Sequence, residues 1–362
     1  MALVVQAFML LLELLAAHPV PIVTHALPAK SDGEQPAGPK TVFAHYMMCF
    51  HAFGNCTPGP HCSSQGASKY IQGYKTEIEI AQRYGLDGWA LEWLGHDMGG
   101  YYNESFYNIF QACEEYNAER GATAETAVAG GPKPFQLIPM LDGGNFTATR
   151  LKFLTHVGST CQYRFQGRPV LSNWGGGIPW HNTTGNQGAI KSAEWENEIV
   201  RPMAKMGHAR PFYLPFIYPP NYDVPPTFDD QLAILSNFTA LDGLWYWGCA
   251  DLGDAVARSS SWNIEACMQA KKYSASPVSA PYSPHKCGNW NQTAQKFGWC
   301  NNVYYQGNGA HGMIETWMAH INGSKGQQPD FVIYSTWNDV SLPDLVIVRP
   351  SLCMPVSQAL PT

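Results

Sequence analysis

The residues of this chain best suited to chemistry are carboxylates that follow short apolar runs: Glu92 and Asp97, Asp142, and Asp339. Paired carboxyl groups divide proton work, one giving a proton to a leaving oxygen while the other activates water or attacks carbon. Aromatic, imidazole and hydroxyl or amide side chains stand beside them. They are His45 and Tyr46, Trp93 and His96, Asn173 and Trp174, Tyr218, Trp245 and Trp247, Ser279 and Tyr282, and Trp337. Aromatic plates can stack on the apolar C–H faces of sugar rings, so acids ringed by them suit hydrolysis of a glycosidic bond. A single acid after a strand is more often a cap or a turn former, and Asp142, followed by Gly143 and Gly144, has that alternative. Such acids after three separate runs favour chemistry.

The positioning elements are read most clearly at Pro329–Asp339. Phe331–Ser335 is a buried strand, and Thr336, Trp337, Asn338 and Asp339 fall at its C-terminal tip. The pattern recurs upstream, with strands expected over residues 41–49, 87–94, 135–142, 168–175, 210–218, 241–248 and 273–283. Helices are expected between them over 68–84, 104–120, 149–157, 192–206, 227–238, 262–272 and 310–321. Eight strands alternating with helices predict an α/β fold, a (β/α)8 TIM barrel, whose C-terminal face gathers the residues after each strand. An open doubly wound sheet is the alternative, but no glycine-rich dinucleotide fingerprint follows the first strand.

Composition agrees with a large loop-rich enzyme. The chain has 362 residues, 45% hydrophobic and only 14% charged, enough to bury a barrel-sized core. A net charge of −6 without any Lys/Arg run argues against nucleic acid and anionic membrane as partners. Twelve Trp and eighteen Tyr exceed what packing alone asks for, although packing claims most of them. No zinc or calcium-loop spacing joins His45, His96 and the acids, so no metal or other cofactor is expected.

The domain organisation is read as a signal peptide and pro-segment over 1–29, a linker over 30–40, a barrel domain over 41–339 and an aberrant tail over 340–362. Secretion would fit seven Asn-x-Ser/Thr sites, at Asn55, Asn103, Asn145, Asn182, Asn237, Asn291 and Asn322. It would also fit ten cysteines without metal-ligand spacing, for which Cys56–Cys62, Cys249–Cys267 and Cys287–Cys300 are the local pairs expected.

An ordered set of motifs runs through the chain: Val42–Tyr46, Gly85–Leu91, Gln136–Asp142, Gly167–Val170, Leu241–Gly243 with Trp247, Ser276–Ser279 and Ser335–Asp339. In this order they resemble glycoside hydrolase family 71, the fungal α-1,3-glucanases or mutanases. The endo-α-mannosidase family also ends a strand in Trp-Asn-acid. The resemblance implies inverting attack on α-linked glucan, with Asp339 matching the first acid of an Asp-x-x-Glu motif. By position Asp97 and Asp142 match the acids after strands two and three, and His45 and Trp337 match residues lining the sugar site. Tyr46, Glu92, Trp93, Trp174, Tyr218 and Trp247 complete the expected substrate-binding set. A secreted or wall-located monomer acting on polysaccharide is the corresponding expectation.

The chain departs from that pattern after Asp339. Val340, Ser341 and Leu342 stand where the motif would reach its glutamate, and Pro343, Pro350, Pro355 and Pro361 forbid a regular eighth helix. An unspliced intron would open with codons reading Val-Ser in this frame, so the tail is expected to derive from one. Transcript sequencing across the Asp339 codon checks this, and a continuous exon there would refute it. With the glutamate missing, a non-catalytic carbohydrate-binding or wall-associated protein is one alternative, and an α-mannan-directed hydrolase is another.

Overall fold

The computed structural model describes residues 41–47, 67–94, 99–142, 146, 153–174, 183–217, 227–245, 263–279, 290–291, 296–297 and 328–335. Along the chain come β1 (Val42–Met47), α1 (Ala67–Arg83), β2 (Gly88–Leu94), α2 (Gly99–Glu119), α3 (Ala124–Val128) and β3 (Gln136–Asp142). Next are β4 (Arg164–Phe165), β5 (Arg168–Trp174), α4 (Asn186–Trp195), a π-helical stretch (Glu196–Val200) and α5 (Arg201–Lys205). Then follow β6 (Phe212–Tyr213), α6 (Phe228–Asn237), β7 (Gly243–Trp245), α7 (Ile264–Gln269), β8 (Tyr273–Ser279), β9 (Trp290–Asn291), β10 (Lys296–Phe297) and β11 (Phe331–Ser335).

The main sheet runs β4-β5-β3-β2-β1-β11-β8-β7, with β6 beside β5. Every pairing in it is parallel except the short β4–β5 hairpin. Between the two ends, Phe216 bridges Trp245, and the Trp245 amide donates to the Pro215 carbonyl at 2.9 Å. The architecture is a curled, barrel-type β/α sheet with helices on its outer side. The expected tail over 340–362, the helix over 310–321 and residues 1–40 lie outside the described residues.

Local signals set the helices. Gly85, at φ +81°, ends α1, and the Leu86 amide reaches back to the Ala81 carbonyl. Thr227 and Asp230 cap α6 reciprocally: the Asp230 amide donates to the Thr227 hydroxyl at 3.2 Å, and the Thr227 amide to the Asp230 carboxylate at 2.9 Å. The helix expected over 192–206 begins earlier, at Asn186, and contains the π-helical stretch. Of the helix expected over 149–157, the described part is a single turn at residues 153–155.

Alternation along the strands divides the core in two. Ala44, Tyr46, Trp89, Leu91, Trp93, Leu137, Leu171, Tyr213 and Leu244 pack outward against Tyr74, Ile78, Phe106, Phe110, Trp195 and Leu235 of the helices. Phe43, Ala90, Ile138, Met140, Val170, Phe212, Leu214, Trp245, Ala275, Phe331 and Ile333 fill the inside.

The N-terminal end of the barrel is sealed. Gln166 and Gly167, both at positive φ, make the two-residue turn of the β4–β5 hairpin. That turn tucks Phe165 under the strands, with its ring 5.1, 5.1 and 4.9 Å from those of Phe212, Tyr273 and Phe331. The Gln166 amide donates to the Tyr273 hydroxyl at 3.0 Å. Around this floor one device appears three times: an aspartate just before a strand accepts an amide of the neighbouring strand. Asp87 takes the Val42 amide at 2.9 Å, Asp242 the Tyr213 amide at 2.8 Å, and Asp330 the Ser274 amide at 2.9 Å. Asp242 also binds Arg168 at 2.7 Å in a pair that is largely buried.

Candidate active site

The period of two that sorts the core also sorts the candidate residues. On β1, Phe43 and His45 face inward while Ala44 and Tyr46 face outward; on β2, Ala90 and Glu92 face inward while Trp89, Leu91 and Trp93 face outward. β1 and β2 pair with His45 opposite Ala90 and Met47 opposite Glu92, so His45 and Glu92 are diagonal neighbours on the inner face. They meet there: His45 Nε2 lies 2.5 Å from Glu92 Oε2, with side-chain exposures of 1% and 4%. Trp245 comes in from β7, its ring 6.1 Å from the His45 ring at an interplanar angle of 31°. Ser172 is buried on β5, its hydroxyl donating to the Leu214 carbonyl at 2.6 Å. Met140 pairs with both Glu92 and Ser172, so these polar residues share a level of the sheet.

The pair lies near the C-terminal edge of the sheet. β2 runs two residues past Glu92, and the last paired rung joins Leu94, Asp142 and Trp174 along three adjacent strands. Asp142 and Trp174 therefore end their strands at the C-terminal edge, as the sequence predicts. Asp97, Asp339, Tyr218, Trp247 and Trp337 lie outside the described residues.

Of the expected sugar contacts, His45 and Glu92 are enclosed on the inner face, and Tyr46 and Trp93 fall on the other face of the sheet. Tyr46 stacks on Trp89 with 4.3 Å between ring centroids and meets Tyr74 of α1, in the layer between sheet and helices. Trp93 packs on Phe106 of α2 at 4.9 Å in the same layer. Each is one residue out of phase with the inward-facing His45 or Glu92, and a one-residue step exchanges the faces of a strand. Asn173 is likewise structural, its Oδ1 accepting from the Tyr213 hydroxyl at 2.7 Å. Burial there holds the Tyr213 phenol well above its ordinary titration range.

Sequence reasoning also passes over the disulfide Cys113–Cys161, which ties α2 to the segment before β4. The two cysteines are 48 positions apart, and a search for local loops does not find them. Asn117 braces the same place, its side chain taking the Phe135 amide at 2.8 Å and donating to the Phe135 carbonyl at 2.9 Å. Of the three expected pairs, Cys267 is buried on α7, and Cys249, Cys56, Cys62, Cys287 and Cys300 lie outside the described residues.

No family model matches the chain, and no curated protein matches it in sequence. Its structure is similar to that of the GH99 endo-alpha-mannosidase from Bacteroides thetaiotaomicron, with a TM-score of 0.51 at 11% identity over 82% of this chain and 84% of that one. It is also similar to a glycoside hydrolase-like protein, with a TM-score of 0.50 at 13% identity over 87% of each chain. At these identities the likeness is one of fold: this chain shares its barrel-type architecture with glycoside hydrolases.

Proposed function

We propose that this chain is a secreted glycoside hydrolase of the family 71 type, folded as a (β/α)8 barrel without its last helix and cleaving α-1,3-glucan with inversion. The observation that carries the reading is the buried His45–Glu92 pair on the inner face near the strand ends, one level below the rung that ends in Asp142 and Trp174. In this reading Asp97, Asp142 and Asp339 supply the reacting carboxyls. One protonates the departing glycosidic oxygen while another takes a proton from water as the water attacks the anomeric carbon from the opposite side. Such an attack needs carboxyl groups roughly 6.5–9.5 Å apart. Trp174, Tyr218, Trp247 and Trp337 would hold the sugar rings.

Val340, Ser341 and Leu342, in place of the motif's glutamate, favour a second reading, a wall-associated protein that binds polysaccharide without cleaving it. The solved endo-alpha-mannosidase supports a third, action on α-mannan. Incubation with insoluble α-1,3-glucan and, separately, with α-mannan distinguishes the three. Reducing ends from the glucan, absent in Asp339→Asn, are expected. Retention on the glucan without release would leave the binding protein, and release from mannan alone would leave the mannosidase.

A further inference from the structure

We propose that Glu92 is a positioning residue of the sugar site, fixing the His45 imidazole beside the Trp245 ring; the inference rests on the glycan reading above. Both groups are almost wholly enclosed, so neither offers itself to a substrate. Their effect must pass through what they touch.

The core gives no reason for an ionisable pair at this level. Phe43, Ala90 and Ile333 occupy the neighbouring inward positions, and apolar side chains would close the space as well. Exchanging a buried ion pair for well-packed apolar groups is often neutral or stabilising, so stability does not explain the pair. Orientation does. A carboxylate on Nε2 places the ring proton there and sets the plane of the imidazole. That plane then sets the tilt of Trp245, which reaches in from β7. Contacts thus run from β2 through β1 to β7, three strands whose C-terminal ends border the mouth. An indole held at one tilt spares a sugar the cost of ordering it on binding.

The experiment combines calorimetric titration of a linear α-1,3-linked gluco-oligosaccharide with 15N resonances of the imidazole, for the wild-type chain, Glu92→Leu and Glu92→Gln. Glu92→Leu is expected to fold with an unchanged thermal midpoint, to lose the fixed Nε2–H signature of His45, and to bind about tenfold more weakly. Glu92→Gln still offers an oxygen to Nε2 and is expected to stay within about threefold of wild type. Wild-type affinity or an unchanged imidazole signature in Glu92→Leu overturns the positioning role alone. Failure of Glu92→Leu to fold makes the pair a necessity of the core and overturns the role as well. Absence of binding by the wild-type chain overturns the glycan reading and this inference together.

Discussion

At the level of single residues, acids in this chain divide by which end of a strand they occupy. Asp87, Asp242 and Asp330 precede strands and serve the floor, each accepting a neighbouring amide. Asp87 and Asp242 belong to the Asp-Gly motifs that carry much of the family resemblance, yet their work is architectural. Replacing Arg168 by alanine strands the Asp242 carboxylate and is expected to cost about 3–5 kcal/mol, read from the urea midpoint. Lysine should restore only part of this, because Arg168 also donates to the Arg210 and Pro211 carbonyls.

His156 gives a pH prediction at the same scale. Burial, against Phe110 at 4.2 Å among other rings, lowers its pKa below the ordinary value, with Glu114 opposing. The folded chain therefore resists a proton that the unfolded chain accepts, and this contribution to stability is lost as pH falls through about 6.5. Between pH 7.5 and 5 the wild-type urea midpoint should drop more than that of His156→Gln. Equal drops would contradict the assignment. The places of Glu92 and His45 near the ends of β2 and β1 were legible from the sequence because apolar runs mark strand ends. Tyr46 and Trp93 were misplaced because a tip in the sequence does not say which of two adjacent residues faces in.

At the level of elements, two glycines carry the close approach of neighbouring strands. A Cβ on Gly88 would stand 2.0 Å from the Gln136 carbonyl oxygen, and one on Gly243 would stand 2.1 Å from that of Tyr273. Either change to alanine should cost about 3 kcal/mol or more, because backbone cannot yield as a side chain can. The opposite outcome is expected at Lys271, which holds φ +56° after α7 while the Lys272 amide closes on the Cys267 carbonyl. Glycine at position 271 should raise stability by about 1 kcal/mol, measured by denaturant titration. Strand and helix order was legible because short apolar runs alternate with segments of helical period. The aromatic floor was not. Tyr163, Phe165, Phe212 and Tyr273 are distant in sequence and meet only once the hairpin folds under the barrel, so rings that could be counted as sugar plates turn out to be a plug.

At the level of the whole molecule, eight parallel strands of the described residues set a C-terminal edge at one end and an aromatic floor at the other. The disulfide Cys113–Cys161 fastens α2 and the segment before β4 across the helix side of β3. Non-reducing peptide mapping should recover it, and replacing both cysteines by alanine should cost about 2–5 kcal/mol. Long-range pairings of this kind are set by the fold, so residue spacing does not disclose them. The central claim is hydrolysis of an α-linked glucan at the mouth with inversion, and the anomer first formed tests it most directly. Proton NMR of α-1,3-glucan during the first minutes of reaction should show new reducing ends in the β configuration. New ends in the α configuration, or none from glucan at all, would contradict it.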